Sequence, residues 1–545
     1  MNESLLRELV PAVIGVLVRR GADFAAAEDA VQDALAEAVL GISADPRGAG
    51  VPGVSIGNTK ERPPVRIRTA LVLLTPLVAV AACGTAVTTA KPKPSAPAAA
   101  WRPCPGGEGV ECADVTVPLD WSEPGGPVIE IAVARRKAPA SEGTIVYLPG
   151  GPGQPGVETL IGSKEFGGLE RRYDIVSLDP RGVGASSPLT CPAGQVMALG
   201  PERLPTTDAQ LRELRQASAA LAEACRKATG PAFDHLDSVS AAQDLDRVRQ
   251  AIGADKITIY SHSYGTLLAQ EYAARFGQRL RGAVLDGVMD HSLDRRTFTV
   301  SAARALEESF GQFVTWCAKD RTCEVDDPVA AYRRVLAKAE RGKLGKDENG
   351  RAWTPYTVTA TIDAMLFTPS WPAAGTFLNT LDKGKPWRTD GDDTLPKRIN
   401  HADPIVCQDY AMAYRDAAEI KADLAAAAAV APTVRYSPNA MKAVLTCQGW
   451  PAPVKNPQRP PTSTATTPLL LLQSRYDNAT PVAWASNVAR HLGKRARLTV
   501  LPDWTHAMKL YNKGCQARYA ADYLSSLKLP PANPACTSTP PGVTL

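Results

Sequence analysis

Short apolar runs alternate with stretches of helical spacing beyond residue 128. The runs are rich in β-branched and aromatic residues and predict strands within the segments 129–138, 144–153, 173–187, 256–265 and 282–287. Apolar residues at helical spacing predict helices at 241–254 and 266–276. The sequence SAAQ at residues 240–243 predicts a capping box at the start of the first helix. This alternation predicts an α/β fold with a mostly parallel sheet covered on both faces.

The same alternation returns near the end of the chain. Segments 467–477 and 496–504 predict strands, and residues 482–491 between them predict a helix. Helix-like stretches at 299–316 and 414–430 lie between the two portions of the sheet. The two portions are therefore far apart in sequence.

Composition places the chain among soluble globular proteins. It has 545 residues, of which 44% are apolar and 21% are charged. This length is too great for one small domain. The net charge is only +5 and no Lys/Arg block stands out, so no nucleic-acid partner is expected.

Cysteine usage favours an oxidising compartment. After Cys83, the other ten of the eleven cysteines fall into sequential couples, which indicates disulfides. The alternative is a set of scattered buried thiols. The chain contains no CxxC motif and no histidine at metal-ligand spacing from a cysteine, so we expect neither a metal nor another cofactor.

Residues 66–83, RIRTALVLLTPLVAVAAC, have the features of an export signal. Two arginines precede an apolar run at 69–82 that suits a signal segment better than a membrane-spanning helix. Its end resembles a bacterial lipobox, which implies cleavage before Cys83 and lipid attachment to its thiol. Residues 84–100 predict a flexible tether. A buried apolar strand or helix is the alternative for the run.

The segment before this signal has a different character. Residues 4–40 have helical periodicity and resemble the beginning of region 2 of an extracytoplasmic-function sigma factor. Residues 41–64 have linker composition. Since a signal sequence should begin a chain, we interpret 1–64 as a non-native extension, from a start assigned too early or a truncated fusion. Val65 or a nearby codon is the expected start.

The strongest chemical motif is SHSYG at residues 261–265. A nucleophile elbow has the pattern G-x-S-x-G between a strand and a helix, and both neighbours are predicted here. Ser261 replaces the first glycine with another small residue. Ser263 is the predicted nucleophile because it lies two residues before Gly265. An ordinary strand-to-helix turn is the alternative.

A serine hydroxyl needs a base and an acid that follow it in the order of this fold. Asp477 comes directly after one late strand and His506 directly after the next, so we predict these two. His491 lies within a predicted helix and is interpreted as a surface residue. Asp503 is the rival acid, but it lies in the same loop as His506.

The oxyanion requires backbone N–H groups. Tyr264, directly after the nucleophile, supplies one of them. The glycine-rich turn LPGGPG at residues 148–153 allows close backbone approach, and Gly151 is predicted to supply the other.

Together, LPGGPG, LDPRGVGASS, YSHSYGT, RYDNATP and the late His506 resemble the proline-iminopeptidase-like α/β-hydrolases. The chain is more similar still to actinobacterial tripeptidyl aminopeptidases, which are secreted or lipid-anchored, over residues 101–536. The sequence departs from the family pattern at Ser261, at Pro149 before the two glycines, and at Thr505 before the base.

The resemblance implies a split architecture and a pairing of the cysteines. The hydrolase core would comprise 101–290 and 466–545, with a mainly helical cap at 291–465. The implied disulfides, supported by the even count and short loops, are Cys104–Cys112, Cys191–Cys225, Cys317–Cys323, Cys407–Cys447 and Cys515–Cys536.

The resemblance and the triad together predict an exported serine exopeptidase that acts on peptide substrates and is held at the membrane by lipid or secreted. Recognition of a substrate's ammonium group needs a carboxylate, and Asp409 in the cap is the candidate because Cys407 would fix its segment if bridged to Cys447. A structural or solvated acid is the alternative for Asp409. An esterase or other acyl hydrolase on the same triad is one alternative, since fold does not determine the leaving group. A catalytically inactive envelope lipoprotein is the other.

Overall fold

The computed structural model describes residues 97–199, 204–347, 351–387, 398–507, 510, 515–531 and 534–538. The predicted signal segment, the lipidation site Cys83 and the sigma-factor-like fragment lie outside these residues. Within the described part of the chain, no helix is both long enough and apolar enough to cross a bilayer.

Nine strands of the described chain form one sheet in the order β1-β2-β3-β5-β4-β7-β8-β10-β11. They are β1 (Arg102–Pro103), β2 (Val110–Pro118), β3 (Val128–Arg136), β4 (Thr144–Leu148), β5 (Asp174–Leu178), β7 (Ile257–His262), β8 (Leu280–Asp286), β10 (Leu469–Ser474) and β11 (Ala496–Leu501). From β5 to β11 all neighbours are parallel, and β1, β2 and β3 pair antiparallel at one edge. The predicted mostly parallel sheet is confirmed.

The helices of the described chain are α1 (Gly156–Gly162), α2 (Ala193–Ala198), α3 (Asp208–Thr229), α4 (Ser238–Ala251), α5 (Gly265–Phe276), α6 (Arg295–Cys317), α7 (Pro328–Glu340), α8 (Pro355–Phe367), α9 (Trp371–Asp382), α10 (Val406–Asp409), α11 (Ala417–Val430), α12 (Pro438–Thr446), α13 (Val482–Leu492) and α14 (Cys515–Ser526). Successive side chains of a strand point to opposite faces of the sheet, so one strand contributes to two apolar layers. Val146 and Leu148 of β4 pack in the layer that includes α4, α5 and α13. Ile145 and Tyr147 pack in the opposite layer, which includes α1 and α14.

Helices α6 to α12 form an insertion between β8 and β10. The insertion has an apolar core of its own, built around Phe310, Phe313 and Trp316 of α6. It also contributes β9 (Arg398–Asn400), which pairs antiparallel with β6 (Thr190–Pro192). The insertion is therefore tied to the segment after β5 as well as to β8 and β10, the strands that precede and follow it.

The cysteine pairing and one helix start test the sequence predictions locally. The structure joins Cys104–Cys112, Cys191–Cys225, Cys317–Cys323 and Cys407–Cys447, as expected. The side chain of Cys515 lies outside the described residues, so the fifth pair stays a prediction.

The capping box at 240–243 is wrong. Helix α4 begins at Ser238, and Asp237 caps it by accepting a hydrogen bond from the Ser240 N–H at 2.9 Å. A carboxylate three residues earlier accepts that N–H, and an acidic group also interacts favourably with the positive end of a helix.

Candidate active site

The site lies where the strand order reverses. The chain leaves β4 on one side to form β5 and returns on the other side of β4 to form β7. In open α/β sheets, such a switch point leaves a crevice at the carboxyl ends of the strands. The turn after β4 and the elbow after β7 both lie at this edge.

Ser263 occupies the sharp turn between β7 and α5. Its φ is +52°, in the left-handed region that a non-glycine residue adopts at a strained functional turn. A Cβ on Gly265 would lie 2.3 Å from the Pro149 carbonyl oxygen, so only glycine fits there. Ser261 fits in place of the usual glycine because its buried hydroxyl donates to the Val284 carbonyl at 3.1 Å.

Asp477 and His506 meet directly. The Nδ1–H of His506 donates to both carboxylate oxygens of Asp477 at 2.9 Å, and not to the rival Asp503. The Asp477 carboxylate also accepts the N–H groups of Ala479 and Thr480 at 2.9 Å and the Thr480 hydroxyl at 3.0 Å. These bonds fix the orientation of the carboxylate, which in turn orients the imidazole. Thr480 therefore belongs to the site, although the sequence analysis did not single it out.

The remaining nitrogen of His506 is available for proton transfer. His506 is buried, and its Nε2 has no hydrogen-bond partner among the described residues. The Phe367 ring lies 4.4 Å from the imidazole, and the Phe367 carbonyl accepts the His506 N–H. The Ser263 N–H donates to the backbone carbonyl of Asp286 at 2.9 Å, while a Cβ on Gly287 would lie 3.2 Å from His506 Cε1. The turn at 286–287 is thus in contact with both Ser263 and His506. His491 is exposed, as expected.

The glycine-rich turn closes over the nucleophile. A Cβ on Gly150 would lie 2.8 Å from the Ser263 Cβ, so the backbone passes in contact with Ser263. Gly151, with φ +110°, lines the same cavity as Ser263 and Tyr264. The two predicted oxyanion donors are thus on the wall that carries the nucleophile.

His262 supports this turn and is a second residue that the sequence analysis missed. Its Nε2–H donates to Gln154 at 3.2 Å, and its Nδ1 accepts from the Tyr147 hydroxyl at 3.3 Å. Burial, with a smaller contribution from the nearby charge of His506, lowers the pKa of His262 to about 3. His262 is therefore neutral at physiological pH, and its role is to hold the turn. In the sequence, the only indication of this role was the position of His262 directly before the nucleophile.

The cavity above Ser263 has a volume of about 230 Å³ and is roofed by the insertion. Met289, Phe298 and Phe367 give it apolar walls. Two charged residues also line it, Asp403 and Lys442, which form an ion pair at 2.7 Å. Both are partly exposed, and neither was predicted as a site residue because no local motif marks them.

The proposed role of Asp409 is not compatible with its place in the structure. Its side chain is fully buried and does not line the cavity. Its carboxylate accepts hydrogen bonds from Ser238, from the Tyr264 hydroxyl at 2.6 Å and from Asn456 at 2.8 Å. A substrate ammonium cannot reach it. Asp409 instead fixes the position of the Tyr264 side chain through this hydrogen bond.

Comparisons with known proteins identify the family of this chain. A family model described as alpha/beta hydrolase fold matches residues 143–513. Serine protease Hip1 of Mycobacterium tuberculosis is 27% identical over 484 residues, 80% of this chain and 90% of Hip1. Tripeptidyl aminopeptidase of Streptomyces coelicolor is 27% identical over 402 residues, 68% of this chain and 73% of that enzyme. Carboxylesterase B of Mycobacterium tuberculosis is 28% identical over 450 residues, 78% of this chain and 86% of that protein. The chain belongs to the alpha/beta hydrolase fold family and is a hydrolase.

Proposed function

We propose that this chain is an exported serine exopeptidase that releases short peptides, tripeptides foremost, from free N-termini through an acyl-enzyme. Similarity to a serine protease and to a tripeptidyl aminopeptidase supports the class of reaction. The contact between Asp477 and His506 supports the mechanism.

The reaction follows from the atoms at the site. His506 Nε2 takes the proton of Ser263 Oγ as that oxygen attacks the scissile carbonyl, and Asp477 stabilises the imidazolium that forms. The N–H groups of Gly151 and Tyr264 hold the oxyanion. His506 then gives the proton to the leaving amine, which leaves the acyl group on Ser263. Water, activated by the same histidine, releases the peptide acid.

The observation that carries the exopeptidase proposal is a carboxylate in the wall of the catalytic cavity. Asp403 lines the cavity together with Ser263 and is already bound to an ammonium group, that of Lys442, at 2.7 Å. A substrate's free N-terminus presents the same chemical group. It takes the place of Lys442 on Asp403 and so sets the length of peptide that reaches Ser263.

Paired substrates test this proposal. A tripeptidyl amide with a free N-terminus should be cleaved roughly 10–100-fold faster, in kcat/KM, than its N-acetylated form, as expected for one hydrogen bond to a charged group. Asp403→Asn should raise KM for the free peptide only, whereas Lys442→Gln should retain the preference. Ser263→Ala should abolish both reactions. Equal rates on free and acetylated peptides would refute the exopeptidase proposal.

An esterase is the second candidate, because a relative named Carboxylesterase B covers 78% of this chain and the cavity walls are largely apolar. Cleavage of short-chain esters without any hydrolysis of peptides would establish it. A fluorophosphonate that fails to label Ser263 would indicate the inactive alternative.

Export and lipid anchoring belong to the same proposal. The four disulfides of the described chain support an oxidising compartment. We expect the mature protein to begin at lipidated Cys83, which mass spectrometry of its N-terminus determines. Recovery of residues 1–82 on the functional protein would contradict this expectation.

A further inference from the structure

A second cavity adjoins the catalytic one. It has a volume of about 320 Å³ and shares Asp403, Lys442 and Thr446 with the cavity above Ser263. Its other walls are mostly apolar, with contributions from Leu214, Leu221, Ile399, Leu445 and Trp450, and the polar residues Arg351 and His401 also line it. The Asp403–Lys442 ion pair therefore lies at the border between a chamber that contains the nucleophile and a chamber that is mostly apolar.

The sizes of the two chambers bear on what they hold. Pockets for small ligands usually have volumes of about 300–1,000 Å³. The catalytic cavity, at about 230 Å³, lies below this range, and the two adjoining cavities together lie within it. The two chambers together therefore have the volume of an ordinary small-ligand pocket, whereas the catalytic cavity alone does not.

The ion pair at the border can exchange its cation. The side chains of Asp403 and Lys442 are 37% and 45% exposed, and exposed ion pairs contribute only about 0–1 kcal/mol. His401, 3.9 Å from Asp403, lines the second cavity too, and burial lowers the pKa of this histidine. The imidazole is thus neutral near pH 7 and does not compete for the carboxylate.

We propose that the second cavity is the subsite for the side chain of the substrate's first residue, and that it selects peptides whose first residue is large and apolar. This inference rests on the proposed function. The third residue has its carbonyl at Ser263, so its side chain occupies the catalytic cavity. The ammonium of the first residue lies on Asp403 at the border, and the adjacent side chain enters the apolar chamber.

Binding to an inactive variant tests the subsite without any hydrolysis. Calorimetry on Ser263→Ala compares the tripeptides Phe-Ala-Ala and Gly-Ala-Ala. We expect Phe-Ala-Ala to bind roughly 10–100-fold more tightly, the range of discrimination found for apolar pockets. Adding Leu214→Trp, which fills the chamber from a partly buried position on α3, should remove the difference. Adding Gln216→Trp, at an exposed position on the same helix, should retain it.

The outcomes separate the subsite from the proposed function. Equal affinity for the two tripeptides, or a preference unchanged by Leu214→Trp, overturns the subsite. Val196→Phe, at another residue that lines the cavity, replaces Leu214→Trp if that variant does not fold. The enzyme could cleave free and acetylated peptides equally and still show a first-residue preference that Leu214→Trp removes. That combination refutes the exopeptidase function but supports the subsite.

Discussion

The edge of the sheet and the helical insertion contribute different things to one cleft. At the sheet, Asp477 is buried and accepts hydrogen bonds from its own loop and from His506. In the insertion, Asp403 and Lys442 are partly exposed and pair with each other. The sheet therefore holds the reacting groups rigidly, as proton transfer requires. The insertion supplies walls that can exchange partners, as substrate selection requires.

Two carboxylates within the insertion show the same contrast. Asp403 and Asp409 are six residues apart, with the disulfide-bonded Cys407 between them. Asp403 faces the cavity, whereas Asp409 points away from it and binds Ser238, Tyr264 and Asn456. A position close to the disulfide-bonded Cys407 therefore does not determine which of the two carboxylates faces the cavity. The predictions below test the division between the groups that react, the groups that hold them and the groups that select.

The largest effect is expected for Asp477→Asn. An amide in place of the carboxylate favours the wrong tautomer of His506, and the corresponding change in other triads lowers kcat about 10⁴-fold. We expect a loss of that order in kcat for a free tripeptidyl amide, with little change in KM. Asp503→Asn is the matched control and should remain within a few-fold of the wild type. A larger loss in Asp503→Asn than in Asp477→Asn would show that Asp503, and not Asp477, is the catalytic acid.

The sheet-edge residues could be predicted from sequence because their signals are local. Ser263, Asp477 and His506 each follow a strand that is apolar enough to recognise, and the fold prescribes their order. Partners reached through tertiary contacts carry no such signal. Asp403 lines the same cavity as Ser263 only because the insertion folds over the sheet. The contact between Asp409 and Tyr264 depends on the same tertiary arrangement.

Asp409→Ala should affect stability more than catalysis. The substitution leaves the Tyr264 hydroxyl, the Ser238 N–H and the Asn456 amide without their buried acceptor. Each such group costs about 1–3 kcal/mol, so we expect the free energy of unfolding to fall by roughly 3 kcal/mol or more. Urea unfolding measures the loss. Asp403→Ala, which breaks only an exposed pair, should cost less than about 1 kcal/mol. Similar losses in the two variants would remove the contrast between these carboxylates.

Asp363 of α8 links the insertion to the loop of the catalytic acid, and its effect should depend on pH. Its carboxylate accepts from Asn478 at 2.6 Å and from the Asn439 N–H at 3.3 Å. Burial raises the pKa of Asp363 to about 6, against 3.8 for the free group. A raised pKa in the folded state means that its contribution to stability is fully present below about pH 4 and is lost as pH rises to about 6.

Asp363→Asn should therefore flatten the pH dependence of stability. At about 1.4 kcal/mol for each unit, the wild type loses at most about 3 kcal/mol between pH 4 and 6 that the variant does not lose. Urea unfolding at pH 4, 5, 6 and 7 measures this difference, and Asp403→Asn is the control. If the free energy of unfolding falls equally in the wild type and in Asp363→Asn from pH 4 to 6, Asp363 is not the group that titrates.

The smallest effect is expected for His262→Phe, on the sheet side of the division. Phenylalanine keeps the ring against Tyr147 but removes the hydrogen bond to Gln154, which holds the turn of Gly150 and Gly151. Loss of a whole oxyanion donor lowers kcat about 10²–10³-fold, so a loosened turn should lower it by roughly 10–100-fold. KM should change little, because His262 does not line the cavity. The acid limb of the pH–rate profile should not move, since a histidine with a pKa of about 3 is already neutral there. His491→Phe, on the exposed surface of α13, controls for the loss of an imidazole. A shift of the acid limb in His262→Phe alone would show that His262 exchanges protons during catalysis and is more than a support for the turn.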